Sequence, residues 1–320
     1  MKNDQHAHQY PYHNPLVCVV VLNYNGRHHL EYCLPGIAAT RYQPLQIIVV
    51  DNASTDGSTE YIRQNYSNVL LIESATNRGW SGGNNLGIVW ALARGAKYIA
   101  LVNNDVRVAA NWVDIAVQLM EADPRTGIIG FQVFEPPHDV GFDQAVARWS
   151  EIETREVSPV SGLAMFVRAS LFKQLGLIDE AFFAYAEDND FERRVRKAGY
   201  RVVTTNVPIW HHGSGTFGRM PLRAAALQIR NNLRLSLKHD NPAGILYQFL
   251  RHLAKACLPF IRVDPNDRIA RRLRPANVFV NLLIFLYACA WNLWHIRGTL
   301  RARREVNCRV QQVRRQLKSD

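Results

Sequence analysis

Three acids fall in four positions at Glu187, Asp188 and Asp190, directly after the run Phe182-Phe183-Ala184-Tyr185-Ala186. They open a segment of helical character, where acids also answer the helix dipole, so part of the cluster has a structural use. The chemical use is that one carboxylate acts as general base on a hydroxyl. Asp105 closes Asn103-Asn104-Asp105 immediately after an apolar run. That position suits a hard divalent cation, Mg2+ or Mn2+, which takes a few carboxylates plus substrate phosphates. In Trp210-His211-His212-Gly213-Ser214-Gly215 a histidine pair sits in a Gly/Ser loop. A lone histidine is usually structural, but a pair there fits metal ligation or phosphate contact. Asp51, after another apolar run, can accept from the imide N–H of a base. The stretch from Gly79 to Gly83 lets backbone come close to a ligand ahead of a helix N-terminus.

These residues need a scaffold that brings them to one edge. Leu16–Leu22, Leu45–Val50, Val69–Ile72 and Tyr98–Val102 are short apolar runs rich in β-branched residues, the pattern of strands buried on both faces. Segments 28–39, 57–65 and 83–94 between them read as helices, the third closed by Gly95. Alternation of strand and helix predicts an α/β fold, a Rossmann-like, mostly parallel sheet with helices on both faces. Ligands bind beyond the carboxyl ends of such strands. The polar signatures stand there: Asn23-Tyr24-Asn25-Gly26, then Asp51 to Ser58, then Asn77 to Asn85, then Asn103-Asn104-Asp105. Any one of them could be turn chemistry; four at one edge indicate a site. A dinucleotide fold would want GxGxxG after the first strand, where the chain offers Gly26 alone. Further on, Gly162–Arg168 and Arg201–Thr205 read as strands, and 169–175 and Asp188–Ala198 as helices, the latter closed by Gly199.

As an ordered set, VLNYNG, VVDNASTDGS, NRGWSGGNN, LVNNDV, FFAYAEDNDFERRVRKAGY and IWHHGSG resemble the bacterial family-two glycosyltransferases, especially their rhamnosyltransferase-like branch, over about residues 16–232. The resemblance implies a GT-A fold, a nucleotide-diphosphate sugar donor, a divalent cation and inverting transfer, with rhamnose as the branch's sugar. Asn23, Asn25 and Asp51 match donor-nucleotide contacts, with Asn104 beside them, and Asn77, Gly79 and Asn84 match the loop by the diphosphate. Asp188, next to Glu187, matches the catalytic base. Asp105 and His211, with His212 as an alternative, match metal ligands. Asn103 departs from the family's DxD motif and leaves Asp105 as the triplet's carboxylate. A silent relative that only binds nucleotide sugar would carry the same residues.

The net charge of +11 points to phosphate-bearing partners. It does not mark a nucleic-acid binder, because the excess lies beside apolar segments rather than among exposed aromatics. Five scattered cysteines without a CxxC pair argue against a disulfide framework or zinc site and for a reducing cytoplasm. Residues 1–14, with His6, His8 and His13, read as a disordered leader without a secretion segment. Residues 15–232 read as the transferase domain and 233–320 as a helical, membrane-associating region. There, 243–261 and 276–296 are strongly apolar, around a stretch with Arg262, Arg268, Arg271, Arg272 and Arg274. The tail 297–320 holds eight basic residues against two acids, a local +6. Asparagines interrupt 276–296, which favours an interfacial helix over a span, with arginines facing anionic lipid on the inner face of the cell membrane. A glycan or lipid-linked acceptor fits that location. The other use of these segments is a homo-oligomer interface.

Overall fold

The computed structural model describes residues 14–135, 144, 146, 151–156, 159–213, 220–258, 268–273 and 276–319. The leader histidines, Arg262, Arg274, Ser214 and Gly215 lie outside the described residues. The four apolar runs form parallel strands β1 (Val17–Asn23), β2 (Leu45–Asp51), β3 (Leu70–Glu73) and β4 (Tyr98–Asn103), in the order β3-β2-β1-β4. Valines of β1 are buried on both faces, where branched side chains pack well against the pleat. Helices α1 (Arg27–Ala38), α2 (Ser58–Asn65) and α3 (Gly79–Ala93) connect them. The third helix begins at Gly79, earlier than the sequence pattern predicts, so the glycine-rich stretch is its first turns rather than a loop before it.

The sheet continues through β5 (Val106–Val108), α4 (Trp112–Ala122), β6 (Thr126–Phe134), β7 (Thr154–Glu156), β8 (Ala164–Arg168), α5 (Ser170–Leu175), a 3-10 turn at Glu180–Phe182, α6 (Glu187–Ala198) and β9 (Arg201–His211). This half is mixed: β8 pairs antiparallel with β4 and β6, β6 runs parallel to β9, and β5 and β7 lie antiparallel on β9. β9 extends past Thr205 to His211, which carries the histidine pair to the same edge as Asp105. One core, with Leu30, Ile37, Trp112 and Phe166, lies under α1 and α4; the other, with Ile48, Ile88, Phe172 and Phe191, lies under α3, α5 and α6.

The chain ends in α7 (Pro221–His239), α8 (Pro242–Cys257), α9 (Arg268–Leu273), α10 (Val278–Trp294) and α11 (Ile296–Ser319). The sequence reading divides the chain at 232, but α7 runs straight through that position and is tied to the sheet domain. Lys238 Nζ lies 2.7 Å and His239 Nε2 2.8 Å from Asp190, while Arg234 and Lys238 both reach Asp179. Burial alone would raise the Asp190 pKa, but the Arg194 charge, the His239 hydrogen bond and the Lys238 charge hold it well below the carboxylate range. The basic tail is a docked helix rather than a free lipid-facing arm. Val306, Val310 and Val313 of α11 are buried in the core beneath α5 and α6, with Leu317 packed beside them. Among the described residues no single helix is long and apolar enough to cross a membrane; α10 and α11 together pass that test but are bent by 65°.

Candidate active site

Strand register builds one edge of the site. Asn23 stands opposite Asp51 and Leu22 opposite Asn103. Asn23 Nδ2 donates to Asp51 Oδ1 at 2.9 Å, and Asn104 Nδ2 donates to Asn23 Oδ1 at 2.7 Å. Asp51 Oδ2 accepts from the Ser54 N–H at 2.9 Å, and Asn25 Oδ1 from the Thr55 N–H at 2.8 Å. A second chain links Asn52 Nδ2 to Asn77 Oδ1 and the Gly79 carbonyl, while Trp80 Nε1 donates to Asn103 Oδ1. Asparagine supplies donor and acceptor in one short side chain, which is why it recurs where loops must be tied to each other.

A cleft of about 1030 Å³ opens at this edge. Asn77, Gly79, Asn104, Asp105, Glu187, Asp188, His211 and His212 line it. Asn23, Asp51 and Asn84 do not: they are buried, and Asn84 Nδ2 donates one turn back to the Trp80 carbonyl. Asn25 lies outside the cleft on the neighbouring loop. Asn25 is exposed there, whereas the other three are buried beneath the edge. Gly79 has a φ of +69°, and a Cβ there would stand 2.3 Å from the Phe183 carbonyl oxygen. The glycine lets α3 pack closely against the acidic loop at a point that also lines the cleft.

Asp105 and His211 meet at the mouth of β5. Asp105 Oδ2 lies 3.2 Å from His211 Nε2, and Glu135 Oε1 lies 3.0 Å from His211 Nδ1. Burial lowers the His211 pKa, but the hydrogen bonds and charges of Asp105 and Glu135 outweigh it and the net shift is upward. Asp105 Oδ1 is buried with no hydrogen-bond partner. An unpartnered buried carboxylate oxygen beside an imidazole nitrogen fits a hard cation whose remaining ligands are phosphate and water. Among the described residues no group of three or more His, Cys, Asp or Glu side chains forms a full protein cage. His212 lines the cleft and stacks on Tyr32, with ring centroids 6.0 Å apart.

The acidic loop supplies another part of the lining. Phe183, Tyr185 and Ala186 all have positive φ, and the Phe183 turn is closed by the Ala184 N–H donating to the Phe182 carbonyl at 2.8 Å. Each such residue costs about 1–3 kcal/mol and persists only where its surroundings hold it. Here α7 holds it. Asn231 Nδ2 lies 2.7–2.8 Å from the carbonyls of Phe182, Ala184 and Tyr185, and Arg230 Nη2 donates to Phe182 at 2.9 Å. The loop delivers Glu187 and Asp188 to the cleft at the start of α6. Glu187 Oε2 is buried and unpartnered; burial, then the charges of Asp188 and Asp190, push its pKa well above the carboxylate range. Asp188 is half-buried and accepts from the N–H groups of Asn189 at 2.7 Å and Gly162 at 3.1 Å. A Cβ at Gly162 would stand 2.8 Å from Asp188 Oδ2, so glycine lets the turn before β8 come this near. Burial raises the Asp188 pKa more than those donors lower it.

The match to a family model described as glycosyl transferase family 2 covers residues 18–170, from β1 into α5. An N-acetylglucosaminyl-diphospho-decaprenol L-rhamnosyltransferase of Mycobacterium tuberculosis is 28% identical over 239 residues, covering 63% of this chain and 78% of that protein. Residues 18–170 belong to glycosyl transferase family 2. Its fold is shared with a Pyrobaculum calidifontis mannosyltransferase solved with GDP-Man and Mn2+, at a TM-score of 0.58 and 20% identity over 95% of this chain and 88% of the other. TarS of S. aureus, residues 1–349, matches with a TM-score of 0.56 and 15% identity over 95% and 91%.

In this glycosyltransferase several lining residues escape the sequence reading. Gln228 and Asn232 of α7 and Arg271 and Arg272 of α9 close the cleft beyond Asp188. The sequence reading assigns both arginines to lipid; α9 instead buries Ile269 and Leu273 against its neighbours and turns the arginines to the cleft. Glu135, the second partner of His211, and Asn231, the loop clamp, carry no motif of their own.

Proposed function

We propose that the glycosyltransferase moves a sugar, rhamnose by its relatives, from a nucleotide-diphosphate donor to a lipid-linked acceptor with inversion. The observation that carries this is one cleft lined both by Asp105 and His211 and by Glu187 and Asp188. Asp188 takes the proton from an acceptor hydroxyl, the oxygen attacks the anomeric carbon, and the bond to the diphosphate breaks on the opposite face. The raised Asp188 pKa favours that proton transfer, while its two backbone donors keep the carboxylate oriented. Asp105 and His211 would hold Mg2+ or Mn2+, whose chemistry is to neutralise charge on the leaving diphosphate. The mycobacterial relative acts, by its name, on a sugar joined to a polyprenol through a diphosphate.

Peripheral attachment to the inner face of the cell membrane belongs to the same proposal. α10 turns Asn281 and Asn292 inward, donating to the carbonyls of Leu273 and Arg230, and leaves Phe279, Leu283, Leu286, Leu293 and Trp294 exposed. Leu246, Tyr247 and Leu250 of α8 extend that apolar surface. Contiguous exposed apolar surface of this kind marks an interaction face.

The test is a panel of dTDP-, UDP- and GDP-sugars with Mn2+ or Mg2+, read first by thermal shift and then by transfer to a sugar-diphosphate-lipid. Asp188→Asn keeps shape but not basicity, so transfer falls about a hundredfold or more while donor affinity holds. Absence of a shift with every donor sinks the proposal; near-normal transfer by the variant removes Asp188 from it.

A further inference from the structure

The donor wall and the base leave one part of the cleft without a task. Beyond Asp188 it is closed by Gln228 and Asn232 from α7 and by Arg271 and Arg272 from α9. Two adjacent cations in one wall repel each other and are held there at a cost unless an anion joins them. Among the described residues neither arginine has an ion-pair partner. The Arg272 guanidinium instead lies 5.2 Å from the ring centroid of Tyr185, and its Nη1 is buried with no hydrogen-bond partner. A forked donor with a desolvated, unpartnered N–H is set up for a phosphate oxygen. Tyr185 belongs to the loop that presents Glu187 and Asp188, so whatever Arg272 holds sits beside the base.

The position says which phosphate. Asp105 and His211, the groups suited to a metal-bound donor diphosphate, come from the sheet between β4 and β5 and at the end of β9, whereas the arginines come from α9. α9 packs against both α7 and α8, and the Leu273 carbonyl accepts from Asn281 of α10 at 3.3 Å. One short helix therefore touches the cleft with its arginines and the helices of the exposed apolar face with its buried side. An acceptor that carries a sugar, then phosphate, then an apolar chain matches that sequence of surfaces: hydroxyl at Asp188, anion at Arg271 and Arg272, chain along α8 and α10. We infer that Arg271 and Arg272 form the acceptor's phosphate subsite, selecting a lipid-diphosphate sugar over a neutral glycoside. This rests on the proposed lipid-linked acceptor and adds the residues that recognise it.

The experiment compares full-length wild type with Arg271→Gln/Arg272→Gln, which keeps length and polarity. The first arm measures binding of a short-chain isoprenyl diphosphate in detergent without donor, so it does not depend on turnover. The double variant should bind it about a hundredfold more weakly, about tenfold for each arginine whose charge-assisted hydrogen bond to phosphate is removed. The second arm measures transfer to a sugar-diphosphate-alkyl acceptor and to the neutral alkyl glycoside of the same sugar. KM should rise for the first and stay unchanged for the second, with donor affinity unchanged in both. Equal loss with both acceptors, unaltered diphosphate binding, or a matching fall in donor affinity would overturn the assignment. Inorganic diphosphate binding as tightly as the isoprenyl compound would also overturn it, by giving the site to a soluble anion. A wild-type chain that binds no nucleotide sugar but loses isoprenyl diphosphate on substitution defeats the proposed function and leaves the subsite standing.

Discussion

Asn231→Ala tests whether the acidic loop is held in place by α7. In the native chain the Asn231 amide reaches three carbonyls of a loop in which Phe183, Tyr185 and Ala186 have positive φ. Removing it leaves Phe182 with its bonds from Arg230 and Ala184, but withdraws the Asn231 donor from Ala184 and Tyr185. A buried carbonyl losing its donor costs about 1–3 kcal/mol. That is the size of the strain stored in one such residue, also about 1–3 kcal/mol, so the loop gains a relaxed alternative that competes with the aligned one. At about 1.4 kcal/mol per decade, the aligned fraction and kcat fall roughly tenfold to a hundredfold. Donor affinity should move little, because the Asn23–Asp51–Asn104 network shares no bond with Asn231. Asn231→Asp, which turns a carboxylate toward three carbonyl oxygens, should be worse than alanine. Steady-state kinetics with donor titration and a melting curve supply the readout. A kcat within about twofold of wild type in a folded Asn231→Ala would refute the idea that the clamp sets the base, since the loop would then be stable alone.

Asp105→Ala should weaken donor binding most when Mn2+ or Mg2+ is present and His211→Ala less so, since a neutral ligand offsets less phosphate charge; calorimetry with and without chelator decides, and identical affinities would mean that no metal is held there. Glu187 has a folded pKa raised above its ordinary 4.5, so its contribution is fully present below that pH and is lost as pH rises through the folded value. Glu187→Gln should therefore melt higher than wild type at neutral pH and show a flatter decline above pH 4.5, with Asp188, shifted the same way, supplying the slope that remains. Full-length protein should sediment with anionic vesicles and be partly released by high salt, which screens the arginines but not the apolar face; Leu293→Ser/Trp294→Ser should reduce the salt-resistant part. Vesicle-blind protein at low salt would make that face a subunit interface instead. Ending the chain at residue 295 strips Val306, Val310 and Val313 from the core, at about 1.5–3 kcal/mol each. That sum rivals a domain's whole stability of about 5–15 kcal/mol, so the truncated chain should melt far lower or aggregate, and an unchanged melting curve would show α11 to be dispensable.

The donor half of the site was legible because its geometry is local. A strand buried on both faces reads as an unbroken apolar run, and the residue that follows it must lie at the sheet edge. Asn23, Asp51, Asn77 and Asn103 could thus be placed together from the sequence alone. Their tasks could not: which asparagine faces the cleft and which ties a loop depends on side-chain direction, and Asn84 points back along its own helix. The mixed half of the sheet was harder. β6 carries Gly127 and Gly130 within its span, and β9 shifts register against β6 between Gly130 and Gln132, which breaks the simple period of a strand. Asn231, Gly162 and Glu135 were invisible for a different reason: each acts on a partner far away in sequence, and an isolated Asn, Gly or Glu has no pattern.

The C-terminal region shows what composition hides. A charge count gives the tail +6, but Val306, Val310, Val313 and Leu317 recur at steps of four, three and four, which is the seam of a docked helix. Its basic residues lie mostly on the solvent face, while Arg303 donates to the Leu237 carbonyl at 2.8 Å. α10 has the reverse character: the asparagines that interrupt its apolar run are its buried side, and the side turned outward is the apolar one. Both facts connect to the chemistry through α7. Asn292 of α10 donates to the Arg230 carbonyl at 2.9 Å, and the Arg230 guanidinium donates at 2.9 Å to the Phe182 carbonyl at the root of the acidic loop. Two hydrogen bonds and one side chain thus separate the apolar face from the loop that presents Asp188. On the proposed function, the surface for a lipid-linked acceptor and the strained loop that would deprotonate it are therefore built from the same helices. The stretch matched by the family model, residues 18–170, ends before the acidic loop and α7.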